Sequence, residues 1–149
     1  MADMKGCGGG DDDDDEGPSS RTMTTVSRHI FGDDPDKPAF SISIVENMKE
    51  EYGLFVWPCS VILAEYLWQQ RSRFSRPSVV ELGAGTSLPG LVAAKLGLDV
   101  TLTDDSNRLE VLENMRRVCD LNKLHCGGAD MGSLGPNHIQ FKAKRCSWC

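Results

Sequence analysis

Three features of the sequence have the residue types and spacing to hold a small charged ligand. Glu81 closes the short apolar run Ser78-Val79-Val80-Glu81-Leu82, Gly83 and Gly85 follow directly, and Asp104 stands 19 residues beyond Gly85. The run reads as a strand and Leu91-Val92-Ala93-Ala94-Lys95-Leu96 as a helix, so the glycines fall in a strand-to-helix turn. There the backbone can approach a ligand, beside the amide groups of a helix N-terminus. Leu98-Asp99-Val100-Thr101-Leu102-Thr103 reads as a second strand, and Asp104 at its carboxyl end is placed to accept hydrogen bonds from the two hydroxyls of a ribose. The dinucleotide fingerprint requires glycine at the sixth position of G-x-G-x-x-G, which here is Leu88, and no Gly-Lys-Ser/Thr ending of a phosphate loop is present. A carboxylate at the turn repels a pyrophosphate and suits a cationic ligand. S-adenosylmethionine (SAM) carries an ammonium and a sulfonium and no phosphate, so the charges favour it over a nicotinamide dinucleotide.

The elements that must position these groups can be read on either side of them. Arg28-His29-Ile30-Phe31 and the alternating Phe40, Ile42, Ile44 read as two strands around the turn-rich Gly32–Pro38, a hairpin ahead of the main domain. A helix is expected from about Cys59 to Gln70, with Pro58 in its first turn. Val61, Ile62, Ala64, Leu67 and Trp68 would form its buried face, with Cys59 a small buried hydrophobe. Arg71–Pro77 reads as a basic loop. Gly97 suits the left-handed position after the next helix. A longer helix spans about Ser106 to Leu121, with Leu109, Leu112, Met115, Val118 and Cys119 on one face. Gly127–Pro136 reads as a glycine-rich loop and His138–Phe141 as a third strand. Strand, helix, strand, helix, strand is the pattern of a parallel, doubly wound α/β sheet.

Composition narrows the class of protein. The chain has 149 residues, with 16 Lys and Arg against 22 Asp and Glu, a net charge of −6. Residues 1–28 hold seven acids and three bases, so 15 acids and 13 bases, a net of −2, remain for the rest. Residues 1–25, with Gly8–Gly10 and the run Asp11–Glu16, read as a disordered acidic tail, because they offer little apolar surface to offset ordering entropy. Residues 26–149 read as the folded part. Its near neutrality argues against direct nucleic-acid binding. No apolar run approaches the roughly 20 residues of a membrane span, and there is no apolar signal-peptide region, so a cytoplasmic or nuclear location is expected. Six cysteines are then read as reduced thiols. Cys146-Ser147-Trp148-Cys149 has the spacing of half a zinc site, but its partners would come from unrelated segments, and no metal is expected.

Val79-Val80-Glu81-Leu82-Gly83-Ala84-Gly85-Thr86-Ser87-Leu88-Pro89-Gly90 resembles motif I of the seven-strand SAM-dependent methyltransferases. Its Leu-Pro-Gly ending resembles methyltransferase-like family 16, which modifies protein side chains. Tyr52-Gly53-Leu54-Phe55-Val56-Trp57-Pro58-Cys59 resembles that family's Trp-Pro segment, Leu102-Thr103-Asp104 its second strand, and Asn114 and Asn122 fall where its next helix often carries asparagines. The resemblance covers roughly residues 26–126.

It implies a partial Rossmann-like sheet of about three parallel core strands behind the hairpin. It also implies SAM as cofactor and a protein substrate methylated on lysine or arginine. Gly83, Ala84 and Gly85 would lie under the methionine part, with Glu81 near that end. Asp104 would bind the ribose and Trp57 would line the pocket. No catalytic base is implied in this half, since in-line positioning supplies most of the rate of such a transfer. Ser87 stands where many relatives have a third glycine. The family's Trp-Gly segment and its fourth-strand acid have no counterpart here, so a truncated form is expected. Such a form would carry one wall of the ligand crevice, with an inactive binding fragment as the alternative.

Overall fold

A computed structural model describes residues 23–34, 36–47, 52–75, 78–130 and 138–145. Residues 1–22 of the tail expected over residues 1–25, and the Cys146–Cys149 pair, lie outside them. Alternating apolar residues flank the Gly32–Pro38 turn and give two antiparallel strands, β1 (Thr24–Phe31) and β2 (Phe40–Asn47), in register from Thr24↔Asn47 to Phe31↔Phe40. The first strand thus starts at Thr24, two residues before Val26. Phe31, Ile42, Ile44 and Val45 are buried. The free edge of β2 is held by side chains rather than by a third strand. Asn122 accepts the Ser43 N–H at 2.8 Å and donates to the Ser43 carbonyl at 2.7 Å, and Asn114 donates to the Val45 carbonyl at 2.9 Å.

Helix α1 (Pro58–Gln69) starts with Pro58, whose missing N–H is no loss in a first turn. Ala64 and Trp68 are its buried residues, while Ile62 and Cys59, both expected inside, are exposed. The apolar stripe is wider than the surface available to cover it. The basic segment after α1 forms a short 3-10 turn, Arg71–Arg73, in which Arg71 pairs with Asp33 and stacks 3.9 Å from the Trp68 ring centroid. This joins α1 to the hairpin turn.

The second sheet contains β3 (Ser78–Glu81), β4 (Asp99–Asp105), β5 (Leu124–Asp130) and β6 (His138–Arg145), in the order β3-β4-β6-β5. β3 and β4 are parallel, joined by α2 (Leu88–Lys95), while α3 (Leu109–Leu121) leads from β4 to β5. The third expected strand, now β6, runs antiparallel to β4, and β5 pairs antiparallel with β6. The α/β class and the preceding hairpin hold, but only two core strands are parallel. A short return from β5, which occupies part of the expected glycine-rich loop, can deliver only an antiparallel neighbour. A register shift between Gly127 and Ala129 accompanies that pairing.

Helices α2 and α3 pack on this sheet, and α1 packs against α2. Gly90 of α2 sits against Leu102, Arg116 of α3 stacks 5.0 Å from the Phe141 ring centroid, and Leu102 and Phe141 are cross-strand partners. Leu63 and Leu67 of α1 share a groove with Val79 and Val80 beside β3. α2 is buried from Leu88 through Ala94, as a helix apolar all round must be. Val111, Leu112, Met115, Val118 and Cys119 of α3 close the core, and Leu109, expected among them, is exposed. Cys119 is disulfide-bonded, so the expectation of six reduced thiols does not hold there, and Cys59 carries a free thiol. Among the described residues no helix is long and apolar enough to cross a membrane.

Candidate functional site

The turn between β3 and α2 is built by backbone geometry that the sequence anticipates. Gly83 has φ +61° and Gly85 φ +52°, a left-handed region that costs an L-residue roughly 1–2 kcal/mol. A Cβ at Gly83 would meet nothing within 4 Å, so that side of the turn is open to a ligand. At Gly85 a Cβ would lie 3.2 Å from the Gly53 carbonyl oxygen. Gly53 in turn packs against Val111, where a Cβ would fall 2.9 Å from a methyl carbon. The Tyr52–Leu54 turn is therefore pinned between the glycine loop and α3, and this brings the segment carrying Trp57 to the loop. Sequence reading gave Gly53 no such role. Its signal was the glycine between Tyr52 and Leu54 at a point of close backbone approach.

The spacing of Gly85 and Asp104 is explained by direct contact. Asp104 Oδ2 accepts the Gly85 N–H at 2.8 Å and its Oδ1 accepts the Asp105 N–H at 2.8 Å. Ala84, buried, donates its N–H to the Thr103 carbonyl at 2.8 Å, and the Thr103 hydroxyl donates to the Glu81 carbonyl at 2.9 Å. The loop is thus laced to the end of β4. The Asp104 side chain is 6% exposed. Each carboxylate oxygen retains capacity for a second donor, the chemistry required of a diol acceptor.

The Glu81 carboxylate is tied to the start of α2. Its Oε2 accepts the Gly90 N–H at 2.9 Å, the third residue of α2. Ser87, the residue before α2, has φ +62°, is fully buried and makes no side-chain cap, so Glu81 supplies from the strand the acceptor that the helix start lacks. Removal from water raises its pKa from an ordinary 4.5 to about 7, against the pull of the Gly90 amide, with the neighbouring Asp104 adding to the rise. Near neutrality it is partly protonated, and its attraction for a cation is weaker than a free carboxylate's.

Trp57 stands before α1 in extended conformation, 43% exposed, its ring 4.6 Å from that of Phe55. The structure therefore brings Glu81, Ala84, Gly85 and Asp104 together through hydrogen bonds between the turn and the end of β4, with Gly83 in the same turn. It places Trp57 at the end of the segment that abuts Gly85.

A parallel strand–turn–helix–strand unit, with a glycine turn closed by an acid on the second strand, is the arrangement of a Rossmann-like α/β fold. Residues 36–127 match the model of a family described as lysine methyltransferase, and the chain belongs to that family. It is 44% identical over 89 residues to the histone-arginine methyltransferase METTL23 of Xenopus laevis, covering 60% of this chain and 38% of that protein. To the METTL23 of Homo sapiens it is 46% identical over 71 residues, 48% of this chain and 37% of that protein. To the protein N-lysine methyltransferase METTL21A of Xenopus tropicalis it is 42% identical over 71 residues, 47% of this chain and 33% of that protein. The chain spans less than half the length of these relatives.

Proposed function

We propose that this chain binds SAM in the turn between β3 and α2 and forms the cofactor-binding part of a protein N-methyltransferase acting on lysine or arginine side chains. The hydrogen bond between Gly85 and Asp104 carries the reading, because it sets a diol-accepting carboxylate against a loop open at Gly83. Relatives named as histone-arginine and protein N-lysine methyltransferases support the protein substrate. The residues suit the group. Gly83 and Gly85 give backbone access without Cβ atoms, Ala84 N–H fixes the loop to β4, and Asp104 offers two oxygens to the ribose. Trp57 provides an exposed ring beside the loop. When bound, SAM supplies an electrophilic sulfonium methyl for a neutral side-chain nitrogen. The chain's own residues contribute orientation rather than acid–base chemistry. The proposed setting is the cytoplasm or nucleus.

A second reading, a binding fragment without turnover, is favoured by one observation. Among the described residues, every group at the site comes from β3, β4, α2 and the segment before α1, one side of the crevice. Titration calorimetry of the chain with SAM and with its demethylated product separates the readings. Binding to wild type that is lost in Asp104→Ala supports the cofactor site, and absence of heat up to about millimolar ligand overturns it. Labelled SAM incubated with protein extract then reports turnover, and its absence in a chain that binds SAM selects the second reading.

A further inference from the structure

The segment that carries Trp57 is gripped on both sides of that residue. Ahead of it one grip is steric. Gly53 lies between Gly85 of the glycine turn and Val111 of α3, where a Cβ on either glycine would be crowded. Immediately before Trp57 the grip is a hydrogen bond, in which the Val56 N–H donates to Glu46 Oε2 at 2.8 Å. After it comes Pro58, which holds the preceding residue extended, and Trp57 accordingly has φ −74° and ψ 146°. The Trp57 carbonyl then accepts the Ser60 N–H at 2.9 Å in the first turn of α1. The main chain at Trp57 is thus fixed by α1 on one side and by the Glu46 carboxylate on the other.

Glu46 is held in its turn. It is the last residue but one of β2, and the carbonyl of its neighbour Val45 accepts the Asn114 amide of α3. Val111 and Asn114 are three residues apart on α3, a spacing that puts both on one face. The contacts close a ring. α3 bears on Gly53 through Val111 and on the hairpin through Asn114, and Glu46 returns from the hairpin to Val56. Trp57 stands one residue from the closing bond. The same carboxylate also acts on half-buried His29, whose pKa is lowered by burial against the pull of Glu46 and Glu65. Reach to Val56 and charge toward His29 are therefore two separable properties of one side chain.

We propose, on the reading of the β3–α2 turn as the SAM site, that Glu46 is a positioning residue of that site, fixing the Trp57 ring beside the glycine turn through the Val56 N–H. The hairpin, which among the described residues lends no group to the turn, then sets the affinity of a pocket built by other elements. Without the bond the Phe55–Trp57 stretch keeps its anchors at Gly53 and Pro58 and loses the hold between them. SAM binds the fraction of molecules in which the ring is in place, and its apparent affinity falls by that fraction.

Four proteins test this: wild type, Glu46→Ala, Glu46→Gln and Glu46→Asp. Glutamine keeps an oxygen at the same reach and drops the charge, and aspartate keeps the charge about 1.5 Å short. The first readout needs no ligand. In chains labelled with 5-fluorotryptophan the Trp57 resonance, assigned by its loss in Trp57→Phe, should shift or broaden in Glu46→Ala and Glu46→Asp and keep its wild-type position in Glu46→Gln. The resonance of buried Trp68 should stay in place throughout. A Trp57 signal indifferent to Glu46→Ala overturns the proposal. The second readout is calorimetry with SAM. Binding should be about tenfold weaker in Glu46→Ala and Glu46→Asp and within about twofold of wild type in Glu46→Gln. Equal affinity in all four, or loss in Glu46→Gln with retention in Glu46→Asp, overturns it. Where Glu46→Ala does not fold, the glutamine–aspartate comparison stands in its place, and fast hydrogen exchange of the Val56 amide in wild type overturns the proposal without any variant. A wild type that binds no SAM overturns the cofactor reading and the proposal with it, and a Trp57 resonance that still answers to Glu46 tells that failure from absence of the bond.

Discussion

Glu81→Gln tests whether the buried carboxylate at the start of α2 is a neutral-range titrating group. In the folded chain its pKa is about 7, and in the unfolded chain the ordinary value of 4.5 applies. Between these values the native state holds a proton that the unfolded state has released. The contribution is fully present below pH 4.5, falls as pH rises, and is lost above about pH 7. About 2.5 units at 1.36 kcal/mol each gives a loss of about 3 kcal/mol across that window. Glutamine cannot ionise, yet its amide oxygen can keep the Gly90 N–H. The measurement is urea unfolding of both proteins at half-unit steps from pH 4 to 9. Stability of the variant minus that of wild type should rise by about 3 kcal/mol between pH 4.5 and 7 and be flat on either side. Other titrating groups cancel in this difference. A difference that does not change with pH, or one that falls as pH rises, would refute the argument from burial. SAM binding to wild type should also tighten as pH rises through 7, because the ionised form attracts the ligand's ammonium.

Asn122→Ala removes the acceptor for the Ser43 N–H and the donor for its carbonyl. At about 1–3 kcal/mol for each buried group left unpaired, urea unfolding should show a loss of about 2–4 kcal/mol, and the Ser43 amide should lose its exchange protection. Gly90→Ala puts a Cβ onto Glu81 Oε2 and Leu102 Cδ2, so denaturation should report a loss of about 1–3 kcal/mol. An unchanged unfolding midpoint for Gly90→Ala would mean that α2 can slide on the sheet. Asp104→Ala should abolish measurable SAM binding in calorimetry, and it should lower stability as well because the Gly85 N–H loses its acceptor.

The glycine turn was more legible than the sheet. Local chemistry specifies a turn, so Gly83, Gly85 and Asp104 could be placed from residue type and spacing alone. The direction of a hydrogen bond made by a long side chain is not so specified. Glu81 reaches across to α2 because the left-handed Ser87 leaves that helix start without a side-chain cap. Strand β6 was found by composition, but its direction follows from β5, whose Gly127 and Gly128 hid a strand inside loop-like composition. The hydrophobic period of α1 marked Ile62 as buried, and the period cannot register which side of a helix lacks a partner. Asn114 and Asn122 were noticed for their positions. Their reason, two amides completing the edge of β2, is a contact between residues far apart in the sequence.

That separation sets an order of events in folding. Ser43 and Asn122 are 79 residues apart, so this fastening of the hairpin waits until the whole of α3 and the residue after it have been synthesised. At roughly 5–20 residues per second, translation leaves β1 and β2 waiting on the order of ten seconds for the side chain that locks them. During that interval the hairpin is a two-stranded ribbon, marginally stable by itself. It is then the part of the nascent chain most open to a chaperone or to a neighbouring chain.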